Sequence, residues 1–352
     1  MSPWNKVLGS AAAAFDRAVV AAMHAHGARD RARAEHLTHA ERLDVLGRIH
    51  QAYGEHHDRF FVEPGAIEPT LREVRPGVLD ASWASTFEPL LAEVSGKYLA
   101  NVDNRTARAR LFLGGGKRPA VIAVHGYLGG YYVIEEAAWP IAWMQRRGLD
   151  VALPVLPFHA QRAGARRGAP PFPSADPRLT NEGFRQAAAD IVGLARWLRA
   201  RGAPAVGVIG VSLGGYTSSL LATLSDAFDF VVPMIPLASV ADFAREQGRL
   251  GLGDEAEAQH AALEKANWIA SPLARPLRVP KARALVVAAE NDRITPAAHA
   301  ARIARHFDCE MLTIAGGHLL QLGRGDAYRA LGALLEREGI IRGRGPTRAP
   351  RP

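Results

Sequence analysis

A single cysteine, Cys309, stands in a chain of 352 residues. That excludes an intrachain disulfide framework, so burial alone must hold the fold and no oxidising compartment is implied. Long hydrophobic runs are also missing, and no stretch approaches the ~18 apolar residues that span a bilayer. The N-terminal stretch SAAAAFDRAVVAAM is broken by Asp16 and Arg17, and reads as an amphipathic helix rather than a secretory leader. A cytoplasmic protein is the expectation. Acidic residues are absent from the last twelve positions, where Arg342, Arg344, Arg348 and Arg351 carry half of the formal net charge of +8. This segment, 341–352, reads as a solvated, disordered basic tail, and no nucleic-acid partner is expected from it.

What is present is enough for a large core. Hydrophobic residues make up 48% of the chain, and the length suits one large α/β domain with extensions. Residues 1–77 read as an N-terminal helical extension. Val19 and Met23 mark one helix; Leu43, Leu46 and Ile49 mark another, opened by a capping box of Thr38 and Glu41. These helices leave room for peripheral membrane contact. The histidines here (His24, His26, His36, His39, His50, His56 and His57) are scattered over several helical faces and form no compact ligand set, so no metal is expected.

From Val78 the texture changes. VLDASWASTF, TARARLFL, AVIAVHGY, LDVALPVLP, AVGVIGV, FDFVVPMIPL, ARALVVAAE and CEMLTIAGG read as strands. Helical stretches lie between many of them, as in Ile134 to Arg147, Glu182 to Arg201 and Leu213 to Leu224. This alternation predicts an α/β fold with a mostly parallel sheet of about eight strands, covered by helices on both faces. The domain runs over 78–340. Residues 238–280 are too long for a plain crossover and read as a helical lid insertion.

Four features fall at predicted strand ends, where open α/β sheets place their sites. Gly210-Val211-Ser212-Leu213-Gly214 follows a strand and opens a helix. Small flanks let backbones close in around a sharp corner that lifts a serine hydroxyl into the open. HGYLGG, from His125, follows an earlier buried strand and suits a backbone oxyanion donor, either Tyr127 or Leu128, facing the amide of Leu213. Asp292 in ENDRITP is placed to orient an imidazole, with Glu290 as its competitor. His318, after two glycines in AGGHLL, is placed as general base. The chain order Ser212, Asp292, His318 suits acyl transfer without metal or organic cofactor.

Over roughly 78–340 these motifs resemble the α/β-hydrolase superfamily. The resemblance implies a Ser-His-Asp hydrolase. HGYLGG departs from the His-Gly-Gly-Gly string of many lipases and esterases. A further string, PFHAQR, is similar to a Pro-x-His-Gly-x-Arg element of other hydrolase-domain proteins. His159 and Arg162 in it either line the substrate pocket or pin a long loop. The expected activity is cleavage of an ester-type bond in an apolar or amphiphilic acyl substrate. Peptide cleavage, acyl transfer to another acceptor, and a non-catalytic binding role remain the alternatives.

Overall fold

The computed structural model describes Ala13, Ala14, Asp16, residues 37–165 and residues 168–342. The helix expected around Val19 and Met23 and all but the start of the basic tail lie outside the described residues. Chain order among the described residues is α1 (His39–Gly54), β1 (Thr70–Arg75), β2 (Val78–Ala84), α2 (Ala92–Leu99), β3 (Thr106–Phe112), β4 (Ala120–Val124), α3 (Tyr132–Ala138), α4 (Ile141–Arg146) and β5 (Asp150–Pro154). It continues with α5 (Pro177–Ala200), β6 (Val206–Val211), α6 (Leu213–Leu224), β7 (Phe230–Met234), α7 (Val240–Glu246), α8 (Asp254–Asn267), β8 (Leu285–Ala289), α9 (Ala297–Phe307), β9 (Glu310–Ile314) and α10 (Arg324–Arg337).

The strands form one sheet in the order β1-β2-β3-β5-β4-β6-β7-β8-β9. The first three join antiparallel, and everything from β5 through β9 is parallel. Every residue of β4, β6 up to Gly210, β7 and β8 is buried, which explains their unbroken apolar runs. Ile122 and Val124 of β4 face one core with α5 and α6; Val121 and Ala123 face a second core with α4 and α10. The chain leaves β4 toward β5, then returns past β4 to β6. The switch point therefore lies between β4 and β6, where a parallel sheet opens a crevice at its carboxyl ends.

Three features differ from expectation. The sheet has nine strands and starts at Thr70, inside the segment expected to be a helical extension. Every residue of this first strand is exposed, so no apolar alternation announces it. The helix expected from Ile134 to Arg147 is two helices, because Pro140 breaks the run between Ala138 and Ile141. Helix α5 begins five residues before Glu182, capped by Asp176 with Pro177 in its first turn.

Helix α1 carries the expected capping box: Thr38 Oγ1 accepts from Glu41 N at 3.3 Å, and Glu41 Oε2 accepts from Thr38 N at 2.7 Å. Its apolar face, with Leu46, Ile49 and Tyr53, is buried in the main core, so it is docked on the domain. Arg42 donates to Gln259 at 3.1 Å, and the His50 ring donates to the Lys265 carbonyl at 3.1 Å. Both partners lie on α8, in the insertion between β7 and β8. That insertion is tied to the body in turn, since Asn181 donates to the Ala266 carbonyl and Tyr216 to the Ala270 carbonyl. Among the described residues no helix is long and apolar enough to cross a membrane.

The loop after β5 is pinned by buried polar groups. Arg162 is 1% exposed, pairs with Asp190 at 2.8 Å, and donates to the carbonyls of Val155 and Asn104. His159 is fully buried, donates from Nδ1 to the Pro157 carbonyl, and lies 5.1 Å from the His125 ring. His125 in turn accepts from Leu156 N at Nε2 and donates from Nδ1 to the Gly126 carbonyl. Burial pushes the His125 imidazole down to about 4 and that of His159 down to about 3, so both are neutral.

Two outcomes follow. Arg162→Met leaves the buried Asp190 carboxylate unpaired and is expected to lower stability by about 3–5 kcal/mol in urea unfolding. The two histidines protonate near pH 6.5 in the unfolded chain but stay neutral in the folded one. Stability is therefore complete above pH 6.5 and falls below it, by up to ~1.4 kcal/mol per pH unit for each histidine, levelling off below about pH 4 and 3 respectively. Urea unfolding at pH 7, 6 and 5 reads this slope. A His159→Gln variant with the same slope as wild type would remove this explanation.

Candidate active site

Ser212 sits between β6 and α6 at φ 57° and ψ −114°, a left-handed backbone state that costs a residue with a β-carbon of order 1–3 kcal/mol. The glycines around it explain how the corner is held. A β-carbon on Gly210 would lie 2.0 Å from the Gly214 carbonyl oxygen, and one on Gly214 would lie 2.1 Å from the Val124 carbonyl oxygen. Strand β6, helix α6 and strand β4 therefore meet closer than any other residue type allows. Ser212 N donates to the Met234 carbonyl at 3.0 Å, which fixes the corner to β7.

The His318 ring lies between Ser212 and Asp292. Nε2 is 2.9 Å from Ser212 Oγ, and Nδ1 is 2.7 Å from Asp292 Oδ2. An ionised carboxylate only accepts, so Nδ1 carries the proton and the Nε2 lone pair faces the serine hydroxyl. Asp292 and His318 are 3% and 7% exposed, whereas Ser212 is half-buried, so solvent reaches the hydroxyl and hardly the acid. Glu290, the competing acid, is exposed at the end of β8 and outside this chain of contacts.

Asp292 is itself fixed. Its Oδ1 accepts from Ile294 N at 2.8 Å and Thr295 N at 2.7 Å. Thr295 Oγ1 stands 3.0 Å from Asp292 Oδ2, from His318 Nδ1 and from the Ile235 carbonyl. Thr295 thus joins the acid, the imidazole and the end of β7. It escaped the sequence reading, although it stands three residues after Asp292.

The side of Ser212 where the sequence places an oxyanion donor is formed by β4 and the loop after it. A β-carbon on Gly126 would be 3.6 Å from Ser212 Cβ, so the backbone leading into Tyr127 passes directly over the serine. Leu213 N is the first amide of α6, and a helix leaves its first amides without intrahelical acceptors. The loop is shaped from beneath by Glu135, whose Oε1 accepts from Gly130 N at 2.9 Å and whose Oε2 accepts from Trp139 Nε1 at 3.1 Å. Burial raises the Glu135 carboxyl above its ordinary range. Leu128, in the loop after β4, has φ 66°, and its side chain is exposed.

Of the two readings open for His159 and Arg162, lining the pocket or pinning the loop, the geometry favours the second. Arg162 is committed to Asp190 and two carbonyls, and His159 is sealed among His125, Tyr127 and Phe172. Both hold the loop. Ser212, Asp292, His318, Leu213 and the loop of Tyr127 are the expected residues that meet. Among the described residues, no group of three or more His, Cys, Asp and Glu side chains is arranged to hold a metal.

Comparison with known proteins follows the same line. A model of the prolyl oligopeptidase family matches residues 182–313, a span that includes Ser212 and Asp292. The uncharacterized protein Rv2627c of Mycobacterium tuberculosis H37Rv is 30% identical over 296 residues, covering 80% of this chain and 70% of that protein. The uncharacterized protein MT2702 of strain CDC 1551 matches to the same extent. Among solved structures, the acetyl xylan esterase from Paenibacillus sp. R4 superposes with a TM-score of 0.54 at 15% identity, covering 84% of this chain and 94% of that one. Acetyl xylan esterase 1 from Thermoanaerobacterium sp. gives 0.53 at 18% identity, covering 80% and 93%. The chain belongs to the family of the mycobacterial protein Rv2627c, and it has the α/β-hydrolase fold of the two acetyl xylan esterases.

Proposed function

We propose that the protein cleaves carboxylic esters through an acyl-enzyme on Ser212. The observation that carries this reading is the continuous contact from Ser212 Oγ through the His318 ring to Asp292, on a serine held in a left-handed corner. His318 Nε2 takes the hydroxyl proton as Oγ bonds to the ester carbonyl carbon. The Asp292 carboxylate, fixed by two amides and Thr295, stabilises the imidazolium and keeps its orientation. The amides of Leu213 and Tyr127 receive the oxyanion. The carbon–oxygen bond then breaks, and the alcohol leaves with the proton from Nε2. Water, deprotonated by the same nitrogen, releases the acid and restores Ser212.

An apolar acyl group is favoured by the side chains that flank these residues. Leu128 and Tyr131 follow the oxyanion loop, Leu319 and Leu320 follow His318, and all four are 44–55% exposed. Large apolar side chains left in water beside a nucleophile suit a substrate that covers them. A second reading, peptide cleavage, is favoured by the match of 182–313 to the prolyl oligopeptidase family.

A fluorophosphonate probe on the purified protein tests the chemistry. Labelling is expected on Ser212 and is expected to vanish in Ser212→Ala and His318→Ala, with ester turnover reduced at least about 10³-fold. A well-folded wild type that takes no label would sink both readings. A panel of p-nitrophenyl esters beside peptide anilides separates them, and a higher kcat/KM on the anilides would move the assignment to peptides. Thr295→Val keeps the shape and removes the hydroxyl. It is expected to lower kcat about tenfold with KM little changed, the equivalent of one hydrogen bond of about 1.4 kcal/mol.

A further inference from the structure

Asp16 lies far from the other site residues in sequence, yet its carboxylate is fully buried against them. Its Oδ2 accepts from His318 N at 2.7 Å and from Arg293 N at 3.4 Å. Its Oδ1 accepts from Leu319 N at 3.1 Å. One side chain therefore binds the backbone at His318 and just after it, and the residue that follows Asp292.

The loop around His318 makes this contact consequential. It has no regular secondary structure, and its other ties are few. Gly317 N donates to the Leu320 carbonyl, Asn291 N donates to the Gly316 carbonyl, and Gln321 Nε2 donates to the His318 carbonyl. The amides of His318 and Leu319 are served by Asp16 alone among these contacts. A buried amide without an acceptor is unfavourable, and so is a buried carboxylate without donors. In this arrangement the two satisfy each other while His318 reaches both Asp292 and Ser212.

We propose that Asp16 is a positioning residue that clamps the His318 loop to the Asp292 loop. The proposal rests on the roles given above to Ser212, Asp292 and His318. Asp16 touches no reacting atom. It acts by fixing the backbone that carries the imidazole, and a shift of about 1 Å in such a group costs on the order of 10²-fold in rate.

The test uses the full chain with Asp16→Ala, Asp16→Asn and Asp16→Glu. Ester turnover is read as kcat and KM separately. The proton on His318 Nδ1 is read by NMR as a downfield resonance, assigned by its loss in His318→Gln. Asp16→Ala is expected to lower kcat by about 10- to 10²-fold with KM changed less than about twofold, and to broaden or remove the resonance. Asp16→Asn keeps the size but turns an amide donor toward an amide donor, so it is expected to fall between Ala and wild type. Asp16→Glu, which keeps the carboxylate, is expected to recover part of the resonance and part of kcat. Wild-type kcat and an intact resonance in Asp16→Ala would overturn the clamp, even if its Tm fell, because the contact would then be merely structural. If Asp16→Ala does not fold, the Asn and Glu variants decide by the same two readings. The resonance needs no turnover. A wild type without esterase activity would therefore count against the function of Ser212, while the resonance in the Asp16 variants would still decide the clamp.

Discussion

The close approach of three backbones at Ser212 is the constraint on which the site depends. Strand β6, helix α6 and strand β4 meet where Gly210 and Gly214 leave no room for a β-carbon. That approach holds the serine at φ 57° and lifts its hydroxyl out of the sheet. It also points the first amides of α6 at the space above the hydroxyl, beside the loop that leaves β4. The parallel order β5-β4-β6 makes this meeting possible, because the chain reverses direction across the sheet between β4 and β6. Strands β8 and β9 then bring Asp292 and His318 to the same edge of the sheet.

Around that corner the molecule fixes its moving parts with buried polar groups of different kinds. Thr295 uses one hydroxyl to hold an acid, a base and a strand end together. Glu135 braces the glycine loop with two accepted hydrogen bonds. Arg162 and Asp190 lock the segment after β5 with an ion pair that is nearly free of solvent contact. These groups leave the central strands β4, β7 and β8 apolar on both faces and place polar contacts near their carboxyl ends, where loops would otherwise be loose.

Sequence made the sheet legible where strands are buried on both faces. AVIAV and LVVAA have no other sensible reading, and β4 and β8 stand there. Strand β1, TLREVR, was hidden because it is an exposed edge held to β2 by backbone pairing and by Arg72 with Asp80. Ser212, Asp292 and His318 were readable because each follows a strand in the order that the chemistry requires. For His159 and Arg162 the sequence left pocket lining and loop pinning open, because a string of letters does not say where a guanidinium ends, and this one ends on Asp190. Thr295 and Asp16 could not be found at all from spacing. One hydroxyl near an aspartate is ordinary, and a carboxylate 302 residues before its partner amide leaves no local pattern.

That separation has a consequence for how the protein comes into being. A chain made from its N-terminus releases Asp16 long before His318, which follows the last strand, β9, and precedes helix α10. The contact between them spans 302 residues of chain, and loop closure of that kind comes late because its entropy must be met before the contact forms. The parallel sheet has the same character, since its neighbours are joined by helices and insertions rather than tight turns. A growing chain therefore carries Ser212 on its corner well before the imidazole has a place to sit. Until the segment of Asp16 meets the segment of His318, the corner that holds Ser212 lacks the imidazole beside it.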